Sequence, residues 1–187
     1  MEIESTTNKF MKVLSRILMA IVAMICVLIA GGIIASASYN PLKEPELRSL
    51  FKSVKMCKKD KSEDLIKLSI HGEFFDIFRY KTKNVILGDG YPKFNGRWDG
   101  EDLKVQSVTS MWKETPIHKK DSSLVYPIVE ANVVGTTSKL QKEIAELCSS
   151  NSNFYCYIQN GSSNYYLFVF SPKNNYLYYT RIKNLTL

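Results

Sequence analysis

The chain is poor in the residue types that do most acid–base and metal chemistry. Its 187 residues include two histidines, His71 and His118, and four cysteines, none of them at the spacing of a zinc ligand set. No Gly-x-Ser-x-Gly elbow frames a serine, and the glycine-rich stretch at residues 88–100 lacks the Gly-Lys-Ser/Thr ending of a phosphate loop. Glu73 and Asp76 are close in sequence, but three residues apart on a strand they point to opposite faces, so they do not form a glycosidase pair. These absences leave no catalytic, cofactor-binding or metal-binding residue to assign, and the expectation is a protein that is not an enzyme.

Charge is missing from one long stretch. No charged residue lies between Arg16 and Lys43, and residues 17–37, ILMAIVAMICVLIAGGIIASA, are apolar or small. At about 1.5 Å per helical residue, roughly twenty such residues match the ~30 Å hydrocarbon core of a bilayer. Lys9, Lys12 and Arg16 ahead of the run and Ala35-Ser36-Ala37 at its end also fit a cleavable signal, but signal apolar regions run about 7 to 15 residues, so a retained anchor is the reading preferred. The expected organisation is a short cytoplasmic tail at 1–16, a transmembrane anchor at 17–37 and one domain at 38–187. Basic residues flank the span on both sides, so the charge rule is nearly balanced. Because long domains translocate largely regardless of charge, the domain is expected outside the cytoplasm, in a periplasmic or extracellular space.

The net charge of +7 falls mostly beyond the span, where 22 basic residues face 16 acidic ones. Such a domain attracts acidic proteins, glycans or anionic lipid. The charges are scattered and no recognition signature accompanies them, so nucleic acid is not expected. Cys26 lies within the apolar run. Of the other three, Cys148 and Cys156 are the first candidates for a disulfide, joining a helix end to the next strand, with Cys57 paired to either as the alternative.

Periodicity sketches an α+β domain. Leu47, Leu50, Phe51 and Val54 recur at helical spacing after Pro45, with a charged turn expected at Lys58–Lys61. Ile66, Leu68 and Ile70 alternate as a strand, and Glu73–Lys81 reads as a second one. Residues 84–102 form a turn-rich loop around a short strand. Leu103–Lys113 and Leu124–Val134 are further strand candidates, with Pro127 placing the latter at an edge or bulge. Ser138 with Gln141 forms a capping box, so 138–149 is a helix. The last forty residues read as a three-stranded meander, its first turn at Asn160-Gly161. The expected domain is an antiparallel sheet of about six or seven strands with two helices packed on it.

Ten aromatics fall between Phe154 and Tyr179, and strand alternation sends them to both faces of the meander. One face makes core; the other is expected to meet a partner, with Tyr155, Tyr157, Tyr166, Tyr176 and Tyr178 as candidate contacts. The glycine-rich loop offers a second surface, through Tyr91, Phe94, Arg97 and Trp98. The functional expectation is a membrane-anchored domain that binds a protein partner at the cell envelope, such as an inhibitor, an immunity protein or a subunit of a membrane assembly. The alternative is a lipid- or small-ligand-binding module with an aromatic-lined cavity. Two Asn-x-Ser/Thr sequons, at Asn160 and Asn184, complete the inventory.

Overall fold

The computed structural model describes residues 14–31, 39–66, 72–88, 92, 94, 96–130 and 138–184. The chain divides into two compact units, Met1–Pro41 and Leu42–Leu187. In the first, helix α1 (Leu14–Gly31) has a mean hydropathy of 2.4 over 18 residues and none of it is buried, so it is long and apolar enough to cross a membrane. Residues 32–37 of the expected span lie outside the described residues.

The second unit is an α+β domain. Its sheet has seven strands, all pairings antiparallel, in the order β1 (Met56–Asp64), β2 (Phe74–Lys83), β9 (Tyr176–Lys183), β8 (Asn164–Ser171), β7 (Phe154–Asn160), β5 (Val108–Thr109), with β6 (Lys113–Glu114) also on β7. The short pair β3 (Arg97–Trp98) and β4 (Glu101–Asp102) stands apart from it. Three helices accompany the sheet: α2 (Glu44–Leu50), α3 (Lys119–Glu130) and α4 (Lys139–Ser149).

The predicted meander is β7–β8–β9. Its first turn differs in detail: Asn160 pairs with Asn164, and the turn is Gly161-Ser162-Ser163, with Gly161 at φ +74°. The Asn160 side chain is used elsewhere, its Oδ1 accepting from Lys104 N at 2.9 Å and Ser107 Oγ at 2.7 Å. The capping box holds as expected: Ser138 Oγ accepts from Gln141 N at 3.0 Å, and Gln141 Oε1 accepts from Ser138 N at 3.1 Å.

Five element assignments change. The first helix stops at Leu50, because Lys52 N and Lys55 N donate to the carbonyls of Ile86 and Lys83 and commit the chain to sheet pairing. Lys58–Lys61 is therefore strand, not turn; at a sheet edge those charges reach water from either face. The expected strand from Asp64 onward ends at Asp64, and its residues 67–71 lie outside the described residues. Leu124–Val134 was expected to be strand, yet its described part belongs to α3, where Asp121, Val125, Ile128 and Val129 form one buried helical stripe. Pro127 falls on the exposed side of that helix, where water can satisfy the carbonyl its missing N–H leaves behind. Leu103–Lys113 forms only β5 and β6, because the turn held by Asn160 and the Ser110 hydroxyl, which accepts from Tyr157 N, interrupt the ladder.

The sheet is buried on both faces. Phe75, Ile77, Tyr155, Tyr157, Leu167, Val169, Tyr178 and Ile182 point toward α3 and α4. Phe78, Tyr80, Cys156, Ile158, Tyr166, Phe168, Leu177 and Tyr179 point the other way, under Leu42, Leu50, Phe51 and Trp98. Two consequences follow from this parity. The expected partner-facing tyrosines Tyr155, Tyr157, Tyr166 and Tyr178 are buried in these cores and form no outer surface. The expected Cys148–Cys156 bridge is absent: Cys148 belongs to the helix-side core, Cys156 to the opposite one, and the described cysteines are free.

Candidate functional site

The glycine-rich loop carries a hairpin. Asp99 and Gly100 have φ of +51° and +79°, the paired left-handed conformation of a tight two-residue turn, with Arg97 opposite Asp102 and Trp98 opposite Glu101. Asp-Gly between short strands is itself a hairpin signal, and reading residues 84–102 as one loop passed over it. Trp98, an expected contact, is 3% exposed. Its ring meets Phe168 edge-on at 5.2 Å and Phe94 at 5.0 Å, and its Nε1 donates to Tyr179 OH at 3.1 Å. Phe94 is half-buried against it. Arg97 is exposed and paired with Asp102 at 2.9 Å. Tyr91 lies outside the described residues.

Asp99 turns this hairpin toward the sheet. Its Oδ2 accepts from Arg181 Nη1 at 3.1 Å and from Lys183 Nζ at 3.4 Å, while Arg181 Nε donates to Asp76 at 2.6 Å. Burial raises the Asp76 carboxyl above its ordinary value, and the Arg181 guanidinium opposes that rise. Glu101 takes the remaining Lys183 contact at 2.7 Å and accepts from Asn164 Nδ2.

Two further charged clusters lie on the helix side. Asp121, 3% exposed in the first turn of α3, accepts from Lys113 Nζ at 2.6 Å, Tyr155 OH at 2.6 Å and Tyr157 OH at 3.1 Å. Burial works to raise this carboxyl, but the three donors outweigh it and hold it below the ordinary carboxylate range. Burial and the hydrogen bond to Asp121 push the Tyr157 hydroxyl up to about 12. Arg79 donates to Asp60 at 2.6 Å and to Glu143 at 2.9 Å, and its guanidinium covers the half-buried Tyr176 ring at 4.6 Å. Tyr178 OH donates to the same Glu143 oxygen at 2.9 Å. Apart from Lys113 and Asp121, eight positions apart, the side-chain bonds between elements in these networks join residues 19 to 105 positions apart, a separation at which no local sequence pattern can announce them.

Each carboxylate in these clusters is matched by donors from the protein itself, which suits clamps between elements. His118 is exposed; its backbone N–H donates to Tyr155 OH, and among the described residues no carboxylate, serine or cysteine is bonded to its ring. Burial pushes the Cys57 thiol up to about 12, which disfavours its thiolate at neutral pH. Among the described residues no group of three His, Cys, Asp or Glu side chains is placed to hold a metal. The aromatics expected to line a cavity stack on one another instead, Phe168 on Tyr179 at 4.8 Å and Phe78 on Tyr179 at 5.8 Å. Of the two sequons, Asn160 is buried with its side chain engaged, and the Asn184 amide donates to Gly72 O at 3.0 Å.

The exposed surface includes apolar side chains. Val105, Val108 and Met111 are exposed along the segment that borders β7. That segment is held in place: Lys104 N and Ser107 Oγ bond to Asn160, Val108 and Thr109 pair with Gln159 and Ile158, and Ser110 N donates to Tyr157 O at 3.0 Å. Gln159, opposite Val108, also lines an open groove of about 260 Å³ with Ser123, Leu124, Pro127 and Tyr165. The sequence signal for this surface was weak, since apolar residues three apart in a loop match neither the strand nor the helix period.

In comparison with known proteins, no family model matches the chain, no curated protein matches it in sequence, and no solved structure matches it in fold.

Proposed function

We propose that this chain is a membrane-anchored, non-enzymatic protein whose domain stands outside the cytoplasm and binds a protein partner at the cell envelope, as an inhibitor, an immunity protein or a subunit of a membrane assembly. The observation that carries the reading is the exposure of Val105, Val108 and Met111 on a hydrogen-bonded segment. Apolar side chains on an ordered segment lose little further backbone order when a partner covers them, and covering such side chains is what a protein interface does. The groove beside Val108, with Leu124, Pro127 and Tyr165, gives an apolar partner side chain a place to insert. The internal pairing of Asp121, Arg79 and Arg181 supports a binding role over catalysis, since these groups are committed to holding elements together.

The test is site-specific photocrosslinking in cells. A photoreactive residue at Val105, Val108 or Met111 is expected to give one discrete adduct, absent from the exposed Ser62 on the far edge strand, and a second substitution, Leu124→Asp, is expected to weaken it. Adducts of equal yield at Ser62, or none at the three positions, would refute the reading.

A further inference from the structure

One edge of the sheet gathers lysine without matching acid. Lys58 on β1 stands directly opposite Lys81 on β2, and the next pair on that face is Met56 with Lys83. Lys55 N donates to Lys83 O at 3.0 Å, and Lys52 N to Ile86 O at 3.0 Å. The Asn175 carbonyl accepts from Thr82 N at 2.8 Å, which brings the β8–β9 turn and its Lys173 to the same edge. All six lysines are exposed, and among the described residues none of them has an ion pair. Elsewhere the domain matches its cations: Arg79, Arg181, Lys113 and Lys183 all have carboxylate partners. The sequence gives the patch no relief either, since neither residues 77–88 nor residues 165–187 contain Asp or Glu.

Like charges placed directly across a strand pair are destabilising, and among the described residues no carboxylate pairs with Lys58 or Lys81 to offset that cost. We propose that this lysine face is a binding site for the anionic phospholipid headgroups of a bilayer. Three observations favour that occupant. All six groups are lysine; an ammonium on a flexible stem follows a fluid array of phosphates, whereas fixed bidentate recognition uses arginine. An open groove of about 460 Å³, walled in part by Leu47, Val54 and the exposed Met56 and by Glu44, which pairs with Arg48, adjoins Lys52 and Lys55, so apolar surface lies beside the charge, as an interfacial site requires. Helix α1 is long and apolar enough to cross a membrane, so, on the anchored reading proposed above, a bilayer is the surface to which this chain is tied. A single-stranded nucleic acid would want stacking platforms, and Tyr176, which pairs with Lys81 across β2 and β9, is already covered by Arg79.

The experiment uses the full chain in nanodiscs of phosphatidylcholine alone or mixed with phosphatidylserine, read by amide hydrogen exchange. Residues 52–61 and 172–176 are expected to exchange several-fold more slowly in the phosphatidylserine discs at low salt, with the difference lost at high salt. The variant Lys58→Gln/Lys81→Gln/Lys83→Gln/Lys173→Gln is expected to exchange alike in both discs, while the matching Lys→Arg variant keeps most of the difference; circular dichroism checks that both are folded. Equal exchange of the unmodified chain in the two discs at low salt would overturn the proposal. So would protection of these segments by soluble polyglutamate with none from phosphatidylserine, which would assign the face to an acidic protein. Neither outcome bears on the exposed Val105, Val108 and Met111.

Discussion

Cys148 and Cys156 are eight residues apart in the chain and lie in different cores, Cys148 with Tyr155 and Tyr157 on the helix side of the sheet, Cys156 with Phe168 and Ile158 on the other. The β7 strand passes between them, and its alternation makes the separation unavoidable: Tyr155 and Tyr157 face the helices, so Cys156 cannot. Burial pushes the Cys148 thiol up to about 12 and the Cys156 thiol well above its ordinary value. Neither thiol is expected to react with a maleimide in the native protein at neutral pH, and both are expected to react after unfolding without reductant. Labelling that appears only after reduction would show a bridge, and with it a different packing of β7.

Because Cys148 and Cys156 are buried and Cys57 is only half-exposed, the side of the membrane is better read at an added thiol. Asn151 is exposed in the turn between α4 and β7, outside the segments assigned to the lysine face. In Asn151→Cys, a membrane-impermeant maleimide applied to intact cells is expected to label position 151. Labelling only after the membrane is broken would put the domain in the cytoplasm and remove the envelope partner with it.

Asp121 is expected to control the acid limb of stability. Its carboxyl is held below the ordinary value in the folded state, so as pH falls the unfolded chain takes up the proton first. Its contribution is complete at neutral pH, begins to decline near the unfolded value of about 3.9, and is gone once pH passes below the folded value. Asp121→Asn removes the charge that Lys113 and the two tyrosines share and is expected to cost about 3 kcal/mol at neutral pH. Urea denaturation from neutral pH downward checks both statements: the variant's stability should vary less with pH, and equal slopes would contradict the role given to Asp121.

Trp98 anchors the β3–β4 hairpin onto the sheet rather than offering a contact. Trp98→Ala removes a buried indole that meets Phe94 and Phe168 edge-on and its bond to Tyr179, with an expected cost of about 3 to 5 kcal/mol and a melting temperature lower by about 10 °C. Trp98→Phe keeps the ring contacts, loses the hydrogen bond and should cost less than half as much. Thermal melts followed by circular dichroism separate the two; an unchanged melt for Trp98→Ala would mean the hairpin does not stabilise the domain.

Local order was legible where local chemistry decides it. The apolar run of α1, the Ser138–Gln141 capping box and the three strands of the meander each follow from a pattern confined to one segment, because hydrogen bonding and alternation over a few residues specify them. The α+β class followed from their order. What only the tertiary structure decided is which pattern prevails where two compete, and what lies above each sheet face. Leu124–Val129 reads equally as strand or helix until Asp121 is seen anchoring it to Lys113, Tyr155 and Tyr157. Lys58–Lys61 reads as turn until β2 supplies a partner at the sheet edge. The tyrosines read as surface until a helix layer and the Trp98 hairpin cover the two faces, since burial belongs to whatever packs against a residue and has no counterpart in the residue's own neighbourhood along the chain.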